Sequence, residues 1–246
     1  LDADESIVIT DTAVTAGQAT AIVAMDAAND VDDVDAGTYD LVLVQGAKAA
    51  GTFTIDDEIA SLLDADNAAV VGNADLVTTV EETIDVSNAA DLEALNTDAV
   101  YSISDSYTNV VVGRATAATA ASVNITSNIT IAQATFVVNS INAASTYSIV
   151  DTAAKIATAV EDDVAALGDE VLTLTATGLA SVAQAQFLST VALETGYAIS
   201  DTSANISAAF NTVNDGGADD RDVVLGATAI TIEDDSTVDE AAGAIT

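Results

Sequence analysis

The chain has 246 residues, half of them apolar, and carries 40 Asp and Glu against 4 Lys and Arg, a net charge of −36. Phosphate backbones need clustered cations, so ordinary nucleic-acid binding is excluded, and anionic membrane surfaces are disfavoured by the same sign. With no His and no Cys, the chain cannot build Ser-His-Asp or Cys-His catalysis, a zinc site of the usual kind, or a disulfide.

The chain opens near a strand at Ile7-Val8-Ile9-Thr10 and a short amphipathic block at Gln18-Ala19. An acidic insertion from Asp30 to Asp35 separates that block from Tyr39. The block returns as Asn88-Ala89, Gln133-Ala134 and Gln184-Ala185. About thirteen residues after each comes a tyrosine signature: Tyr101-Ser102-Ile103-Ser104-Asp105, Tyr147-Ser148-Ile149-Val150-Asp151, and Tyr197-Ala198-Ile199-Ser200-Asp201. Ile131, Ala134, Val138 and Ile141 form a helical stripe, and Ala153, Ile156, Ala157 and Val160 form a second one behind an Asp151 cap.

The next copy is the clearest. Val171 to Thr177 is rich in β-branched residues and reads as a strand. Ala180 to Leu193 reads as a helix with Ala185, Leu188 and Ala192 on its buried stripe. Gly196 breaks the pattern, Tyr197 to Ser200 forms a second strand, and Asp201 caps a second helix carrying Ile206, Phe210 and Val213. That helix stops at Asn214-Asp215-Gly216-Gly217. Val223 to Ile232 then reads as the first strand of another unit, and Thr237 to Ala241 as the opening of its helix.

Tyr101, Tyr147 and Tyr197 lie 46 and then 50 residues apart, the period of an array whose units bury their apolar faces on one another. Strands alternating with helices imply an α/β fold, a solenoid of strand-helix-strand-helix units with a mainly parallel sheet. An all-β repeat fold is the alternative, because Thr and Val are strand formers and the helices lean on Ala. The expected organisation is a diverged first region with the acidic insertion (1–79), repeats over 80–121, 122–169 and 170–221, and the start of a truncated repeat over 222–246.

Acidic loops are the candidate ligand sites. Asp30, Asp32, Asp33 and Asp35, and Asp215, Asp219, Asp220 and Asp222, could offer calcium the oxygen ligands that a hard cation takes. Neither loop has the EF-hand spacing or a full nonapeptide calcium repeat, so a solvated acidic turn competes with the metal reading. The triplets Asp56-Asp57-Glu58, Glu161-Asp162-Asp163 and Glu233-Asp234-Asp235 read as solvated turns or helix ends. The tyrosines could stack on a carbohydrate, but their fixed place before an Ile and an Asp favours a packing ladder. A catalytic row of Asp105, Asp151 and Asp201 is disfavoured, because identical repeats offer identical environments and acid–base pairs need two different ones.

At the repeated Tyr-Ser-Ile-Ser-Asp, followed by a Thr/Ala/Asn/Ile helix, the chain resembles the Ala/Thr/Asp-rich repeats of very large secreted proteins of aquatic bacteria: surface-layer, adhesin-like and fibre-forming proteins. The likeness covers residues 80–232 well and the first 80 loosely. It implies an extracellular or cell-surface location, self-assembly or adhesion, and use of calcium. The expectation is therefore a non-enzymatic structural protein that assembles head-to-tail with copies of itself, without membrane insertion. An adhesin or phage-fibre spacer that binds a surface glycan is the alternative.

Overall fold

The computed structural model describes residues 8–9, 13–21, 44–45, 54–142, 144–211 and 220–234. The chain divides into two compact units, Leu1–Asn124 and Ile125–Thr246. In the first, β1 (Val8–Ile9) pairs in parallel with β2 (Val44–Gln45), and α1 spans residues 16–21. Next come β3 (Thr54–Asp57), α2 (Ile59–Leu62), α3 (Ala68–Asn73), β4 (Leu76–Thr79) and α4 (Val86–Leu95). β5 (Ile103–Asp105), α5 (Tyr107–Val112) and α6 (Arg114–Thr119) complete it, with β6 (Val123–Ile125) at the boundary. β3 and β4 are parallel, with Ile55 opposite Val77.

The second unit begins with α7 (Ile131–Ser140), β7 (Ser145–Thr152), α8 (Ala153–Glu161) and a 3-10 turn at Ala165–Leu167. β8 (Val171–Thr177), β9 (Leu179–Ala180), α9 (Val182–Leu188) and β10 (Ala198–Asp201) follow, then α10 (Ser203–Asn211), α11 (Asp220–Leu225) and β11 (Ala229–Ile232). β7 pairs with β8 in parallel, and β10 lies between β9 and β11, parallel to both. Gly178, at φ +77°, separates β8 from β9, a left-handed conformation that suits glycine. The protein is thus α/β with mainly parallel sheets, and the all-β alternative falls.

The parallel order follows from the spacing of the elements. A helix between two strands returns the chain to the same end of the sheet, so the next strand runs the same way. In β7, buried Ser145, Tyr147, Ile149 and Asp151 alternate with more exposed neighbours. One face of the strand is therefore covered, unlike the continuous apolar runs of strands buried on both sides.

Several helical stripes differ from expectation. In α7 the buried positions are Ile131, Ala134 and Val137, with Val138 only half-buried. The cap at Thr130 sets the first turn, and steps of three and four from Ala134 reach Val137 and Ile141. α8 buries Ala159 rather than Val160. α9 stops at Leu188 and leaves Ala192 exposed. There the Ser189 and Thr190 hydroxyls donate to the carbonyls of Gln186 and Phe187, competing with further helical turns. Val223 and Val224, expected in a strand, belong to α11, and the strand begins at Ala229. In α10, Ile206 is buried while Phe210 is half-buried under the Arg221 guanidinium, 5.3 Å from its ring centre. Val213 and residues 237–241 lie outside the described residues.

Ala134 is fully buried, whereas its neighbour Ala132 is exposed. Ala134→Leu is expected to destabilise the protein by about 1–3 kcal/mol through overpacking. Ala132→Leu should change stability by no more than about 0.5 kcal/mol. Urea unfolding midpoints of the two variants check this.

Candidate functional site

The four short blocks are helix openings of one design. In each, an apolar residue precedes a polar N-cap, the helix follows, and an alanine is buried within its first turns. Thr15 Oγ1 accepts from the Gln18 amide at 3.1 Å, while Gln18 Oε1 accepts from the Thr15 amide at 2.9 Å. Thr130 with Gln133, and Ser181 with Gln184, make the same reciprocal capping box. Asp85 replaces the hydroxyl residue in the fourth, accepting from the Asn88 amide at 2.8 Å. Ala19, Ala89, Ala134 and Ala185 are all buried.

The residue before each cap bridges to the isoleucine of an Ile-x-Asp segment: Val14 to Ile55, Ile84 to Ile103, Ile129 to Ile149, and Ala180 to Ile199. This pairing sets the aspartate two residues on beside the first amide of the helix. The Oδ2 atoms of Asp57, Asp105, Asp151 and Asp201 accept from the amides of Ala16, Val86, Ile131 and Val182 at 2.9, 3.2, 3.2 and 3.0 Å. The Oδ1 atoms accept from the following amides, those of Glu58, Ser106, Thr152 and Thr202, at 2.7–2.8 Å. One carboxylate thus joins the start of the preceding helix to the turn that leads into its own. A side chain four residues on adds a third contact in three copies: Asn109 Nδ2 at 2.8 Å, Lys155 Nζ at 3.2 Å and Asn205 Nδ2 at 2.7 Å.

Asp151 and Asp201 were expected as the caps of the helices that follow them. The N-cap of α8 is instead Thr152, and Thr202 Oγ1 accepts from the Asn205 amide in the same manner. The aspartates sit one residue earlier and bridge two helices. Two further acids make related joints that sequence reasoning missed. Both carboxylate oxygens of Glu81 accept from the Ile59 amide, at 2.9 and 3.1 Å. Asp234 accepts the Ser203 amide at 2.8 Å and its hydroxyl at 3.0 Å. The signal available was an acid just beyond a β-rich segment and shortly before the next opening. Of the triplets read as solvated, Asp57 and Asp234 are therefore structural, and Asp56 accepts from Thr78 Oγ1 at 2.8 Å.

At Asp105 and Asp201 the joint lowers the pKa of its carboxyl. Burial pushes the Asp105 carboxyl up, but the bonds from Asn109, the Ser106 amide and the Val86 amide together outweigh it and hold the group below its ordinary value. For Asp201, burial is likewise overcome by Asn205 and the Val182 and Thr202 amides.

The tyrosines occupy equivalent places, each two residues before the buried isoleucine of β5, β7 and β10. All three are buried, and their hydroxyls donate to carbonyls of the segment after the strand: Thr116 at 3.3 Å, Ala166 at 3.1 Å and Val223 at 2.7 Å. They are packing anchors with a polar latch, and a buried ring offers no stacking platform to a glycan. Burial raises the pKa of all three; with Glu170 nearby, Tyr147 is pushed up to about 12.

Of the expected calcium ligands, only Asp220 and Asp222 lie among the described residues. Asp222 is exposed on α11 rather than in a loop, and Asp220 begins the same helix. Asp30, Asp32, Asp33, Asp35, Asp215 and Asp219, with Tyr39, lie outside the described residues. Among the described residues no three acidic side chains are grouped closely enough to hold a metal ion. No helix there is long and apolar enough to cross a membrane. Compared with known protein families, curated proteins and solved structures, the chain finds no match.

Asp151→Ala removes the acceptor of two amides at once and is expected to cost about 2–4 kcal/mol, with Asp151→Asn costing less because one acceptor oxygen remains. Denaturant unfolding at neutral pH measures both. For Asp105 the folded carboxyl titrates below the ordinary value of 3.8, so the unfolded chain takes up the proton first as pH falls. The stability difference between the wild type and Asp105→Asn is expected to be full above that value and to vanish as pH falls through the lowered one. Tyr147 behaves in the opposite sense: its contribution is intact below pH 10 and lost as pH rises from 10 to about 12, which Tyr147→Phe should abolish in alkaline unfolding curves.

Proposed function

We propose that this is a non-enzymatic structural protein, located outside the cell or on its surface, that self-assembles into a layer or filament. Its strand-helix-strand-helix units stack as an α/β solenoid. The observation that carries this reading is the reuse of one carboxylate joint at Asp57, Asp105, Asp151 and Asp201. Acids that would serve an active site as proton carriers are here committed as acceptors between successive elements. Repetition of this sort multiplies a mechanical connection and adds no chemical diversity between units. A chain without His or Cys fits the same purpose.

Assembly runs head-to-tail through strand edges. In β11, at the end of the described sheet, the bond that Glu233 donates to Asp201 leaves the backbone groups of Ile230 and Ile232 on the side away from β10. Such an edge is a template for an added strand. A heterologous contact of this type propagates unless its rotation closes a ring. Calcium is proposed as the cation that relieves repulsion among the acidic stretches at 30–35 and 215–222.

Electron microscopy of the purified chain is expected to show filaments or a lattice, and isolated particles at every concentration would refute the assembly reading. Calcium is expected to raise the melting temperature or promote assembly beyond what sodium chloride of equal ionic strength achieves. Equal effects of the two salts would reduce the ion to simple screening.

A further inference from the structure

The side of β7 and β8 away from the buried core is free of charge in a chain whose charge is −36. Ser148 lies opposite Thr173, Val150 opposite Thr175, and Thr152 opposite Thr177. These six residues are half-buried or exposed, while Ile149 and Leu174 on the other side of the same strands are buried. None of the 40 acids occupies an outward position of either strand. Asp151, the one acid in these strands, points to the buried side. Parallel sheets ordinarily have both faces covered, and here the described residues cover one.

We propose that this uncharged hydroxyl face is the lateral docking surface for a second copy of the chain, packed sheet face against sheet face. The inference rests on the assembly reading above and adds the surface to it, since strand-edge contacts extend an assembly in one direction and a layer needs a second. Charge selects the partner. Sheets packed face to face lie about 10 Å apart, close to the screening length of about 8 Å at physiological salt. Two polyanions can approach that closely only where neither presents carboxylates. Small β-branched and hydroxyl side chains in register give the flat relief that two identical sheets can interdigitate.

The test compares the wild type with Thr173→Glu/Thr175→Glu by electron microscopy and light scattering at physiological salt. Thr173→Val/Thr175→Val serves as the uncharged control, and circular dichroism verifies the fold. Should the double glutamate variant not fold, Thr175→Glu alone replaces it. Wild type and valine variant are expected to form ribbons or sheets several molecules wide, and the glutamate variant only single-width filaments or monomers of 24.6 kDa. Glutamate assemblies of wild-type width would overturn the docking face and leave the assembly reading standing. A wild type that never assembles would overturn both. Glutamate-sensitive retention of a monomeric wild type on an insoluble polysaccharide would reassign the face to a glycan and overturn the proposal.

Discussion

A carboxylate at the end of a strand, shared between two amides, is the interaction on which the rest of this structure depends. Helix starts leave backbone amides without intrahelical partners, and burying them unpaired is costly. The first amides of α1, α4, α7 and α9 are each met by an aspartate at the end of a strand later in the chain. Because the same group also accepts from the turn leading to its own helix, it sets strand register and helix entry together. A one-residue slip of the strand would withdraw the carboxylate from both amides and turn the buried isoleucine outward.

This economy shapes the composition. Helices start with a capping residue, a first-turn partner and a buried alanine, so close approach of neighbouring elements leaves little space for bulky rings. The few aromatics go where reach is needed. Tyr101, Tyr147 and Tyr197 span from a strand to the segment after it, filling volume along the ring and ending on a carbonyl. Elsewhere the core is Ile, Val, Leu and Ala. Among the described residues the negative charge is therefore of two kinds: joint carboxylates that are acceptors within the fold, and exposed carboxylates on helices and turns.

Much of this was legible in the residues. The tyrosine spacing revealed equivalent places, and the structure puts all three rings in the same relation to their strands. The repeated Gln-Ala and Asn-Ala pairs marked helix openings, because N-cap chemistry and the buried alanine are local requirements. The bridging of Asp151 to Ile131 was not legible, since it arises from parallel pairing between segments that periodicity describes one at a time. The same limit hid Glu81 and Asp234. Val223 and Val224 show the converse error: their β-branched side chains suggested a strand, but burial on α11 and the Tyr197 hydroxyl on the Val223 carbonyl outweigh that weak preference.

The sequence by itself determined the alternation of strands and helices and the positions that recur, because these depend on neighbours within a few residues. It also determined which chemistries are absent, since no fold can supply a missing imidazole or thiol. Only the tertiary structure decided which aspartate serves which helix. It also decided which side of β7 and β8 faces the buried core. Those outcomes depend on groups some 20 to 40 residues apart being brought within hydrogen-bond distance by strand pairing, an arrangement that no local pattern encodes.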